Sequence, residues 1–281
     1  MAQPKIIPSL LTLTEDIFFL KLWKWIESDL KRNRGMDPNI RTFFQENFID
    51  ESIDRIMNRI TRLCVYNSQN RDLALCGVET LISQHTMKLR VNNFTVSYTP
   101  YILKTLQEHC RDVGSLDLIA VQMLTHDRAI NLEIKNRFIS LTTGLKKLRI
   151  LVLGQRNRLV NAKIISLILD NCPIVSFIDY AQMGNAIRKV RKEQPLALTD
   201  IRDVETTSPQ IEFIFRRCPL LIRIIINQPK LKTLSHFYGR RNLADVRLNS
   251  YNKAHWNWNE KEGWDRHLNF FHAKTDFSDL F

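Results

Sequence analysis

Large apolar residues recur along this chain in blocks of one form, C-x-x-L-x-x-L-x-L, where L stands for any large apolar side chain. CRDVGSLDL (110–118), CPIVSFIDY (172–180) and CPLLIRIII (218–226) have it, and KKLRILVL (146–153) and RNLADVRL (241–248) keep it without the cysteine. LALTDIRDV (196–204) is a weaker copy. The first anchors are Val113, Leu148, Val175, Leu198, Leu221 and Leu243, with a further copy placed at Leu89. The gaps between them are about 24, 35, 27, 23, 23 and 22 residues. Alternation within the last positions of each block predicts a short strand with every second side chain buried.

The segments before the strands have a different period. TPYILKTLQEHC (99–110), NAKIISLILDNC (161–172) and SPQIEFIFRRC (208–218) carry apolar residues at helical spacing. Two open with Thr-Pro or Ser-Pro, which predicts a hydroxyl N-cap followed by proline in the first turn. Each ends at a cysteine, twice followed by a proline that stops the helix.

The unit is therefore helix, turn and strand, at the period of leucine-rich repeats. One unit cannot bury its apolar face alone, whereas stacked units can. The expected fold is α/β: a curved leucine-rich-repeat solenoid of helix-turn-strand units with a parallel sheet, over residues 81–250. An N-terminal helical segment (1–80) precedes it, and an aromatic-rich segment (251–281) follows as a cap or tail.

That arrangement bears on the cysteines. Cys110, Cys172 and Cys218 fall in one column at the helix-to-strand turn, and none has a second cysteine at metal-ligand spacing. They read as small, buried turn residues rather than as chemistry. Five cysteines, an odd number in a chain of 281 residues, suggest reduced thiols in the cytosol or nucleus. No run of residues is apolar and long enough to cross a bilayer, and the N-terminus makes a poor signal peptide.

Charge adds a further constraint. The net charge is +12, yet residues 1–80 hold 11 basic and 11 acidic side chains and residues 251–281 hold 4 and 5. The excess sits in the repeats, largely at loops and helix ends: Arg156, Arg158, Arg188, Lys189, Arg191, Lys192, Arg216, Arg217, Arg240 and Arg241. Such an excess is either a solvated surface or a face for an acidic protein or nucleic acid.

Residues between the anchors should line the concave face. One column reads Ile150, Phe177, Asp200, Arg223 and Asp245, preceded by Ser115. The next reads Val152, Asp179, Arg202, Ile225 and Arg247, preceded by Asp117. Apolar spots flanked by both charges suit a protein or peptide; a nucleic-acid groove would be more uniformly basic and rich in stacking aromatics.

No Gly-rich phosphate loop, H-E-x-x-H, G-x-S-x-G or C-x-x-C motif is present, so no enzyme, cofactor or metal site is expected. His255, His267 and His272 lack the spacing of a metal site. TDFSDLF at the C-terminus could serve as a short interaction peptide.

PSLLTLTEDIFFLKLWKWIESDL (8–30) is predicted helical from about Thr14. Its apolar face is wider than a helix needs to dock on its own domain. It either caps the solenoid or docks a partner through Leu10, Leu13, Ile17, Phe18, Leu20 and Trp25.

The repeat form, with a helix before each strand, resembles the ribonuclease-inhibitor-like repeats of F-box and related ubiquitin-ligase substrate receptors over roughly residues 85–250. LTEDIFFLKLWKWI resembles the start of an F-box, with Thr14 where that family has proline. SLLTLTEDIF resembles an elongin-C-binding box, where Ser9 and Leu10 match and Thr14 replaces the cysteine. MDPNIRTFF, with Pro38 after Asp37, stands where a cullin-selecting box would follow. The whole layout is similar to the ZYG-11-like receptors. The resemblance implies a non-enzymatic substrate-recognition subunit of a cullin-RING ligase. Its N-terminal helices would bind elongin C or the F-box adaptor, and its concave strands the substrate. The alternative is a freestanding repeat scaffold that binds an acidic protein or nucleic acid through its basic repeats.

Overall fold

The computed structural model describes residues 10–31, 42, 55–56, 59–60, 71–82, 86–91, 98–119, 121–153, 159–205, 208–227, 242–249, 255–259 and 263–267. Helix α1 (Leu10–Lys31) begins four residues before the expected Thr14. Residues 55, 56, 59 and 60 are helical. α2 (Arg71–Leu81) then leads into β1 (Lys88–Arg90).

The repeats follow as α3 (Thr99–His109), β2 (Ser115–Asp117), α4 (Arg128–Gly144), β3 (Ile150–Val152), α5 (Ala162–Asn171) and β4 (Phe177–Ile178). α6 (Met183–Arg188), β5 (Asp200–Glu205), α7 (Ser208–Arg217), β6 (Arg223–Asn227) and β7 (Asp245–Asn249) complete them. β1 to β7 form one parallel sheet in sequence order. Consecutive parallel pairing with same-handed crossovers puts the connecting helices on one face. The chain is an α/β leucine-rich-repeat solenoid.

One backbone device repeats at every step. The carbonyl before each strand accepts two N–H groups from the next unit: Met87 O from Gly114 and Ser115, then Gly114 O from Arg149 and Ile150. The same pair of bonds recurs at Arg149 O, Ser176 O, Thr199 O and Ile222 O, at 2.7 to 3.3 Å throughout. Two donors on one carbonyl leave little freedom to slip, so the register is fixed before the side chains are counted.

The side chains agree with it. First anchors Val113, Leu148, Val175, Leu198, Leu221 and Leu243 are all buried, as are Leu116, Leu151, Ile178, Ile201, Ile224 and Val246. They meet Ile102, Leu106, Ile134, Phe138, Ile165, Leu169, Ile211 and Ile214 from the helices in one core. Leu89 departs from the sequence reading. It pairs with Leu116, not with Val113, so the first anchor of its unit is the buried Thr86. The long gap between Val113 and Leu148 holds the 17-residue α4. Asp127 caps α4 by accepting from Ala129 N and Ile130 N, and Asn161 does the same for α5. The expected Thr99 cap is absent: its hydroxyl donates to Gln122 O at 2.6 Å.

Beyond β7 the chain reverses. β8 (His255–Asn259) pairs antiparallel with β7, and β9 (Gly263–His267) pairs antiparallel with β8. This covers the edge of the last repeat strand, which would otherwise expose a row of unpaired amides and carbonyls. The peptide TDFSDLF and the Pro38 box lie outside the described residues. At the other end, Leu22 and Ile26 of α1 are buried near Gly77 of α2, where an added Cβ would lie 2.8 Å from Ile60 Cδ1 and 3.6 Å from Ile26 Cδ1. Glycine at 77 permits that close helix packing.

Candidate protein-binding surfaces

The strand register sets one row of side chains on the sheet face opposite the helices. It runs Lys88, Ser115, Ile150, Phe177, Asp200, Arg223 and Asp245, matching the column expected from sequence. In the second row Arg90, Asp117 and Val152 are in register, as are Ile225 and Arg247 at the far end. Between them a β-bulge separates Ile201 from Val204. Arg202 sits in it, one of two residues opposing a single position of β6.

Exposure divides this face. Ser115, Asp117, Val152 and Phe177 are all at most 5% exposed, although neither Val152 nor Phe177 belongs to the core. The expectation that Val152 and Phe177 present accessible side chains on the concave face is therefore corrected. The Arg202 guanidinium lies 4.8 Å above its ring, a cation–π contact that shields it. Asp117 accepts from Arg90 Nε and from Ile119 N, both at 2.9 Å, and Ser115 Oγ is buried without a hydrogen-bond partner. Lys88 is exposed, and Ile150, Asp179, Asp200, Arg202, Arg223, Ile225 and Asp245 are partly buried, the Asp200 and Arg202 side chains at 13% exposure, so the accessible part lies mainly on β5–β7. The Arg247 side chain is outside the described set.

On β5–β7 four charges of this face are mutually paired. Asp200 lies 3.2 Å from Arg202 Nη2 and 3.4 Å from Arg223 Nη1. Arg223 Nε lies 2.9 Å from Asp245 Oδ2, off its N–H direction, as an ion pair rather than a hydrogen bond. Two carboxylates and two guanidiniums alternate, so these four side chains carry no net charge. Such a face offers fixed donors and acceptors to a protein and no field that would collect phosphates.

α1 supplies a second surface. Ile17, Leu20 and Trp25 are exposed, at 57%, 58% and 46%, beside exposed Lys21 and Lys24. Leu22 and Ile26, about 120° or more around the helix from Ile17 and Leu20, are buried, and Trp25 stands at the boundary between the two faces. Leu10, Leu13 and Phe18 lie in α1, with side chains outside the described set.

The cysteine column is structural. Cys110, Cys172 and Cys218 are buried, and each N–H donates to the carbonyl four residues back at 2.8 Å, closing its helix. The Cys172 thiol also donates to Thr142 O at 3.0 Å, filling an unpaired carbonyl at the end of the neighbouring helix. Burial pushes the Cys172 thiol up to about 11, against the opposing charges of Lys146 and Lys192. Burial likewise pushes Cys218 up to about 12, opposed by Arg217. The folded chain thus keeps protons that the unfolded chain releases above about pH 9, so this stability is intact below that value and falls as pH rises toward 12. The denaturant midpoint is expected to stay flat to about pH 8.5 and then drop, with both thiols inert to a thiol reagent at about pH 8 until unfolding. Rapid labelling of the native protein at either position would contradict the assignment. Among the described residues no three His, Cys, Asp or Glu side chains converge to hold a metal ion, and no helix is long and apolar enough to cross a membrane.

No protein-family model matches the sequence, and no curated protein does. Among solved structures, the chain is similar to the leucine-rich repeat-containing protein LegL7 from Legionella pneumophila, at 8% identity and a TM-score of 0.35. That likeness covers 75% of this chain and 63% of the LegL7 chain.

Proposed function

We propose that the protein is a non-enzymatic interaction module that binds a protein on the helix-free face at β5–β7, and that it acts as the substrate-recognition subunit of a cullin-RING ubiquitin ligase. The observation that carries this reading is the division of α1 into two apolar faces. Leu22 and Ile26 attach the helix to its own domain, while Ile17, Leu20 and Trp25 stay exposed beside Lys21 and Lys24. A helix serving only as a cap needs the first face and gains nothing from the second, since exposing large apolar side chains forgoes their burial energy.

In this reading α1 docks elongin C or the F-box adaptor. The paired row from Asp200 to Asp245 holds the substrate, and the chain raises the substrate's effective concentration near the recruited ligase. Its buried, protonated thiols suit the reducing cytosol or nucleus. The test is co-purification of the full-length chain with elongin C and, separately, with the F-box adaptor. Stoichiometric recovery of one of them is the expected result. Recovery of neither would remove the ligase role and leave a freestanding scaffold.

A further inference from the structure

The repeat between Val175 and Leu198 is built unlike its neighbours. Its helix, α6, has six residues, and the nine residues from Lys189 to Ala197 replace the three that separate helix from first anchor in the neighbouring repeats. This loop is held from both sides. The buried Asp170 carboxylate, at the end of α5, accepts from Arg191 N at 3.1 Å and from Lys192 N at 3.1 Å. From α7, the Arg217 guanidinium donates to Lys192 O, and Leu196 N donates to Arg217 O at 2.7 Å.

With the backbone so engaged, the side chains of Lys189, Arg191 and Lys192 project outward. All three are exposed, and among the described residues they make no hydrogen bond or ion pair through their side chains. Arg188, in the last turn of α6, and Arg216, in the last turn of α7, are also exposed. Glu193 is the one acid in the loop.

Basic residues at helix ends often do no more than offset the helix dipole. Lys146 fills that role for α4 and α5, donating to the carbonyls of Thr143 and Asn171, and Arg188 lies in the last turn of α6 itself. Three cations on a clamped backbone remain unused. Holding them in one place removes part of the ordering cost that a binding partner would otherwise meet.

We propose that this loop, residues 189–192, is a docking site for an acidic segment of a polypeptide partner. It is a surface distinct from α1 and from the row on β5–β7, so it does not depend on the ligase reading. A polypeptide is favoured over nucleic acid because the loop carries no aromatic residue on which a base could stack. Its compact size also suits a short run of carboxylates.

The experiment measures fluorescence anisotropy of a labelled peptide of alternating Glu and Asp with the full-length protein, beside a labelled U-rich RNA. Binding of the peptide is expected to weaken about tenfold in Lys189→Gln/Arg191→Gln/Lys192→Gln, whose backbone bonds to Asp170 are retained, and to fall steeply with added salt. Arg128→Gln/Arg149→Gln/Lys163→Gln, which removes three exposed cations elsewhere, is expected to change it less than about twofold. Equal losses in the two variants would mean bulk charge and overturn the proposal, and so would unchanged binding in the first. Tighter binding of the RNA, lost with the same loop substitutions, would assign the loop to nucleic acid instead. An unchanged thermal midpoint in both variants separates all these outcomes from misfolding.

Discussion

Leu151→Ala is expected to destabilise the protein by about 2–5 kcal/mol, the cost of a cavity where the surroundings cannot close in. Leu151 is fully buried on β3, in register with Leu116 of β2 and Ile178 of β4. Its strand is pinned on both sides by the doubly accepting carbonyls of Gly114 and Arg149, so neither neighbour can move in to fill the void. In a stacked array each unit is stabilised by its neighbours, and damage to one central interface weakens two. Ile150→Ala, one residue earlier and half-exposed on the opposite face, should cost about 1 kcal/mol or less. Urea denaturation of both variants checks the contrast. Similar losses would mean that the alternation of faces is wrong.

The second large effect belongs to α1. Ile17→Asp/Leu20→Asp should reduce adaptor binding on the order of 100-fold, because apolar anchors at the centre of an interface carry most of its energy. Both side chains are exposed, and the buried stripe of Leu22 and Ile26 is untouched. The thermal midpoint should therefore hold, while Leu22→Asp should unfold the N-terminal packing. Titration of the adaptor by calorimetry reads the first effect and thermal melting the second. Full adaptor affinity in the double variant would make α1 a cap alone.

Much of this fold was legible because it depends on repetition. Six first anchors and their partners three residues on were readable as a period, and every one is buried. The row from Ser115 to Asp245 followed from strand alternation alone, since each unit restarts the count at the same backbone carbonyl. The cysteine column was legible for the same reason, although its thiol bond to Thr142 O required two units to be placed side by side.

What escaped the sequence has specific causes. Thr86 hid the first anchor of its unit because a buried threonine breaks an apolar pattern without breaking the packing. The bulge at Arg202 depends on how β5 meets β6, which no local spacing encodes. Phe177 looked exposed because it alternates outward, and only the bulged Arg202 brings a guanidinium over it. The loop 189–192 appeared as scattered charge until Asp170 and Arg217, 19 residues or more away in sequence, fixed its backbone.

Recognition on the helix-free face at β5–β7 has a direct test. A photo-reactive amino acid placed at Ile225, half-exposed on that face, can be compared with one at Leu132, exposed on α4. A bound partner is expected to crosslink from position 225 and not from 132. Crosslinking from 132 alone would put recognition on the helices and contradict it.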